Sequence, residues 1–141
     1  MLVGLPGSGK STYVEKLGAR ALSSDEIRGW LSDDPTNQDI HRRVFLVLRE
    51  LLKQRLELRR PVTYIDATNL TAYQRRPYVI LAELYDCEIE AVFFDVPVEE
   101  CVRRNRERHR TVPEEAIADM SRRLSPPTVD EGFSRVTVIR A

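Results

Sequence analysis

The sequence predicts an α/β fold, a parallel sheet of about five strands with helices on both faces, and three observations predict it. β-Branched runs alternate with segments of helical periodicity, which implies right-handed crossovers between parallel strands. IEAVFFDV (89–96) is a continuous apolar run of the kind found in strands covered on both faces. GLPGSGKST (4–12) is a glycine-rich stretch between an apolar start and a helix-forming segment, at the end of a strand where such sheets bind ligands.

Residues 1–5 form the first strand, which is short where about five residues before the glycines would be usual, as suits a module trimmed from a longer chain. A helix begins near Ser11, and a brief strand near 20–23 precedes Ser24-Asp25, residue types that favour helix N-caps. Ile40, Val44, Val47, Leu48 and Leu51 recur at helical spacing and predict a long amphipathic helix over 37–58, stopped by Pro61. VTYIDAT (62–68) reads as a buried strand ending in an acid. Tyr73, Pro77, Ile80, Leu81 and Leu84 mark the next helix, although a proline suits only a first turn. After strand 89–96, Pro97 fits the first position of a helix, and VTVI (136–139) supplies the last strand.

The chain of 141 residues fits one compact domain over 1–141. Its 22 basic and 22 acidic residues cancel, so a nucleic-acid surface would have to be a local patch. Only Lys10, Lys16 and Lys53 are lysines; arginine's planar fork suits phosphate, and genome composition produces the same bias. Cys87 and Cys101 make neither a disulfide framework nor a zinc site, and their apolar flanks predict buried thiols. No apolar run is long enough to span a membrane, and no signal peptide is visible. A soluble, cytoplasmic protein is expected.

Gly4, four residues, then Gly9-Lys10-Ser11 matches G-x-x-x-x-G-K-[ST] between a predicted strand and a predicted helix. In such an exposed loop, backbone N–H groups from Gly4 to Thr12, including those of Gly7, Ser8 and Gly9 around Pro6, cradle phosphate oxygens. Lys10 reaches the β and γ phosphates of ATP or another NTP, and Ser11 ligates Mg²⁺ or Mn²⁺. Asp66 ends its strand and could share that metal; a helix-capping acid would look the same. Asp25 and Arg28 are three apart, so a carboxylate able to take a hydroxyl proton and a guanidinium able to hold a phosphate share one helix face. An ordinary cap and a surface arginine would satisfy that pattern too.

RRNRERHR (103–110) carries five arginines and one glutamate. Val98, Cys101 and Val102 give it an apolar docking side, and Arg104 and Arg108, four apart, share a face. Following the strand beside the glycine loop, it reads as a lid whose arginines stabilise a transferring phosphoryl group, against the alternative of a solvated helix face.

GLPGSGKST, SSDEIRGWLSDD, DATNL, FFDVPVEECVRRNRER and VPEEAI, in that order and spacing, resemble the bacterial and phage polynucleotide 5′-hydroxyl kinases, above all the kinase module of bacterial RNA end-healing enzymes. The resemblance covers most of the chain. The glycine loop is common to all P-loop kinases, whereas SSD with RG and SDD, and DATN with RNRER, are more selective. The resemblance implies a P-loop kinase fold with an arginine-bearing lid. It implies Asp25 as general base, Arg28 and Thr68 as acceptor contacts, and Arg104 and Arg108 on the donor phosphates. The reaction implied is Mg²⁺-dependent transfer from an NTP to the 5′-OH of RNA or DNA, and relatives often carry fused phosphatase or ligase modules. A small-molecule P-loop kinase and a nonenzymatic NTP-binding module are the competing classes.

Overall fold

The computed structural model describes residues 1–108 and 112–140. Among the described residues five strands are interspersed with helices: β1 (Leu2–Val3), α1 (Lys10–Lys16), β2 (Ala21–Ser23), α2 (Ser24–Ser32), α3 (His41–Glu57), β3 (Tyr64–Asp66), α4 (Ala72–Leu84), β4 (Glu90–Asp95), α5 (Val98–Arg106), α6 (Glu114–Arg123) and β5 (Arg135–Arg140). Every strand pairing is parallel. The expected single sheet of five is divided, with β1-β4-β5 as one ladder and β2-β3 as another. β1 is the cause: after two residues it turns into the glycine loop. Val3 still packs with Ile65 of β3, but hydrogen bonding runs to the turn after that strand, with Gly4 N–H donating to Thr68 O at 3.0 Å and Asn69 Nδ2 donating to Leu2 O at 2.8 Å.

Side chains alternate across the ladders and build two cores. Val3, Ala91 and Phe93 pack with Ile27 of α2, Val44 and Leu48 of α3 and Val79 of α4. Leu2 and Phe94 point the other way, toward Val14 of α1, Cys101 of α5 and Ile117 of α6. Helices therefore cover both faces, and burying each such aliphatic side chain is worth about 1.5–3 kcal/mol. No helix among the described residues is long and apolar enough to cross a membrane.

Several local expectations change. The cap of α2 is Ser23, whose hydroxyl accepts from Glu26 N–H at 3.2 Å, so Ser24 and Asp25 lie inside the first turn. Pro97 is the residue before α5 rather than its first. Cys87 is exposed, because it follows the end of α4 in a surface turn, while Cys101 is buried. α4 runs through Pro77 and buries Arg75, Tyr78, Val79 and Ala82, leaving Tyr73 89% exposed and Leu84 in solvent.

Arg75 can face inward because its guanidinium is fully used. It pairs with Glu131 at 2.8 and 3.0 Å and donates to the carbonyls of Asn69 and Ser125. Burial pushes the Glu131 carboxyl up, but Arg75 and the Thr128 amide outweigh it and hold the group below its ordinary value. A depressed carboxylate adds stability above its unfolded value and loses it as pH falls through the folded one. Glu131→Gln is therefore expected to lower urea-unfolding stability by about 1–3 kcal/mol at neutral pH, with the difference shrinking in acid.

Candidate active site

Parallel strands place their carboxyl ends together, and the ends of β1, β2, β3 and β4 are followed by the glycine loop, α2, the DATN turn and α5. A cleft of about 680 Å³ opens there, and every candidate residue except Gly4 lines it: Pro6 to Thr12 of the loop, Asp25 and Arg28, Asp66 and Thr68, Arg104 and Arg108. Gly4 supports the loop from behind.

The loop needs its glycines for measurable reasons. Gly7 and Gly9 have φ of 82° and 102°, in the left-handed region. A Cβ on Gly7 would also sit 2.5 Å from Cys101 O, so α5 packs directly on the loop backbone. No side chain caps α1 at Gly9, which leaves the first N–H groups of that helix free of such a partner. The expected exposure of the loop is wrong at Lys10: its side chain is buried, with Nζ donating to Gly4 O and Leu5 O, both at 2.9 Å. Burial lowers the Lys10 pKa; the negative charges of Asp66 and Asp25 act against it, and the charge of Arg108 reinforces it. Those two carboxylates and one guanidinium act on this ammonium from the end of β3, from α2 and from the turn after α5, and the Cys101 sulfur adds a smaller pull in the same direction as the carboxylates.

Ser11 Oγ donates to Asp66 Oδ2 at 2.7 Å, joining the helix start to the end of β3. Two hard oxygen donors at this spot suit Mg²⁺, which takes one or two protein oxygens and fills its shell with water and phosphate. The described residues contain no group of three metal-ligating His, Cys, Asp or Glu side chains.

Asp25 is exposed to the cleft, whereas Arg28 is only 4% exposed. Arg28 Nη1 donates weakly to Asn37 O at 3.3 Å, and its buried Nε has no partner. A buried, incompletely satisfied guanidinium facing a cleft is poised for an anionic ligand, because an unmade charged hydrogen bond is costly. Thr68 holds the loop through its carbonyl and lines the same space.

The arginines of α5 divide by face. Glu100 grips Arg103 and Arg104 at 2.6 and 2.9 Å, and the Arg103 hydrogen bond leads the effects that pull its carboxyl down to about 2. Arg103 also pairs with Glu107, and Arg106 pairs with Glu114 on α6, so these two face solvent carboxylates. Arg104 Nη1 instead lies over the loop, 3.6 Å from where a Gly9 Cβ would stand. His109 and Arg110 of the arginine segment lie outside the described residues.

Sequence reasoning missed four residues here. Buried Asn105 donates to Val112 O at 2.7 Å and accepts from Val112 N–H at 3.0 Å, clamping the base of the segment after α5. Asn69, at φ 50°, ties β3 to β1; its place in DATNL was a visible signal. His41 and Phe45 also line the cleft, and no motif marked them.

Residues 1–127 match the AAA domain family. The chain is 29% identical over 142 residues to a bifunctional polynucleotide phosphatase/kinase of Schizosaccharomyces pombe, covering 96% of this chain and 32% of that protein. It is 27% identical over 139 residues to an L-seryl-tRNA(Sec) kinase of Methanococcus maripaludis, covering 90% of this chain and 52% of that one. The chain thus spans about a third and about half of the lengths of these relatives.

Proposed function

The chain belongs to the AAA domain family, as a P-loop kinase domain, and on that premise we propose that it transfers the γ-phosphate of ATP or another NTP to the 5′-hydroxyl end of RNA or DNA. The observation that carries this reading is the buried Arg28, with its unpartnered Nε, one turn from an open carboxylate at Asp25 in the same cleft as the phosphate loop. A hydrolase needs to place only water. A guanidinium held ready for a second anion suits an acceptor that carries its own phosphate, as a nucleic-acid end does.

The acceptor's 5′-oxygen attacks the γ-phosphorus, the new O–P bond forms as the bond to the β–γ bridging oxygen breaks, and NDP leaves. Asp25 takes the hydroxyl proton. Lys10, Arg104 and Arg108 face the charge that spreads over the transferring group. Ser11 and Asp66 would hold Mg²⁺, which neutralises charge on the donor phosphates. Partners follow the same logic: a nucleic acid with a 5′-OH end and, in a longer polypeptide or assembly, a phosphatase or ligase module.

The similarity to an L-seryl-tRNA(Sec) kinase favours one second reading, a hydroxyl carried at another position of an RNA. An acceptor panel separates them: with ATP and Mg²⁺, a 5′-OH oligonucleotide should be phosphorylated with higher kcat/KM than seryl-tRNA or a free nucleoside. The reverse order would assign the cleft to the other acceptor.

The two arginine groups should fail differently. Arg28→Ala is expected to raise KM for oligonucleotide acceptors roughly tenfold, through loss of a charged hydrogen bond. Arg108→Ala is expected to act mainly on kcat, and by less than loss of Lys10, because Arg104 remains over the loop. Steady-state kinetics with each substrate varied checks both. An Arg28→Ala effect confined to ATP would remove its acceptor role.

A further inference from the structure

The cleft also has an aromatic wall that phosphate chemistry does not require. His41 and Phe45 stand one turn apart at the start of α3, with ring centroids 4.8 Å apart and planes at 52°. Both line the cleft together with Arg28. Phe45 is half-buried and packs on the core beneath it, while His41 is exposed. We propose that this pair is a stacking platform for the terminal base of the acceptor strand, so that a polynucleotide end is held at its phosphate by Arg28 and at its base by His41 on Phe45. The inference rests on the 5′-hydroxyl reading above and names what that cleft grips beyond the reacting oxygen.

Three observations favour a base over other occupants. An exposed ring supported by a second, core-anchored ring is a rigid apolar surface, which suits the flat face of a base and costs little ordering on binding. His41 shows one side to solvent while its neighbours desolvate the other, and that partial desolvation, reinforced by the nearby charge of Arg28, lowers its pKa, so at neutral pH the residue offers a neutral ring rather than a cation for phosphate. Arg28 already supplies the buried guanidinium that a phosphate needs. Stacking is tolerant of base identity, so the platform would select for a nucleic-acid end without selecting its sequence.

The test uses a 5′-OH oligonucleotide with 2-aminopurine as its terminal base, whose fluorescence is quenched on stacking, and the same strand with an abasic terminal residue. The full chain should quench the probe on binding. His41→Ala should raise the Kd for the base-bearing strand by about 5- to 100-fold. KM for ATP should stay where it is, and His41→Phe should restore binding. On the abasic strand, wild type and His41→Ala should bind alike. Circular dichroism checks folding, and the exposure of His41 makes its variants the safer pair beside Phe45→Leu.

Absence of quenching by the wild-type chain overturns the platform, as does an equal loss by His41→Ala on both strands. Rescue by His41→Lys but not by His41→Phe would make His41 a phosphate contact and overturn it too. Failure of the kinase reading looks different: quenching and its loss in His41→Ala would persist, with no phosphate transferred to any 5′-OH strand.

Discussion

Lys10→Ala is expected to cut phosphoryl transfer by about 10² or more while the domain stays folded. The catalytic half of the expectation follows from position. Lys10 Nζ lies in the curve of the loop on two of its carbonyls, where a point charge can shift onto phosphate oxygens with little movement. The folding half follows from burial. Desolvation penalises this ammonium and lowers its pKa, so its removal relieves a cost while two backbone hydrogen bonds are lost. A depressed lysine binds fewer protons folded than unfolded, hence wild-type stability should rise slightly as pH climbs through that window, and the alanine variant should lack the rise. Thermal melts beside a transfer assay check both parts; near wild-type transfer would remove Lys10 from the loop's chemistry.

Asp25→Asn is expected to lower transfer to a 5′-OH strand by about 10² to 10⁴ with ATP binding unchanged. A 5′-hydroxyl ionises far above neutrality, so its attack is helped by a fixed carboxylate that takes the proton as the O–P bond forms. Asp25 is exposed to the cleft on the first turn of α2, near enough for its charge to act on Lys10. The substitution is gentle on the fold because Ser23, not Asp25, caps the helix. What remains is the loss of one negative charge near a helix start, about 0.3–1 kcal/mol. Calorimetry of ATP·Mg²⁺ beside a radiolabel assay separates binding from transfer, and equal loss of both would take Asp25 out of the mechanism.

Much of the molecule was legible because its signals are local. The loop spacing, the apolar run of β4 and the stripe of α3 each sit within a short window, and all appear close to their expected bounds. Properties set by distant partners were not legible. Arg75 faces inward only because Glu131, Asn69 and Ser125 meet it from elsewhere in the chain, and α4 turns Tyr73, Ile80 and Leu84 outward while Leu81 stays against the core. The sheet divides because β1 leaves its neighbour after two residues, a matter of where the loop begins rather than of strand propensity. The candidate residues from 6 to 108 follow from motif spacing, from the strand end at Asp66 and, for Thr68, from the family resemblance, and the fold gathers them into one cleft. His41 and Phe45 belong to no motif; a helix pattern treats them as ordinary surface until the cleft beside Arg28 is seen.

Mass analysis of a 5′-OH oligonucleotide after incubation with this chain, ATP and Mg²⁺ tests the central claim most directly. The account predicts a product heavier by one phosphoryl group, carried on the 5′-oxygen, formed by wild type and scarcely by Asp25→Asn. Release of inorganic phosphate from ATP with the oligonucleotide unchanged would contradict it.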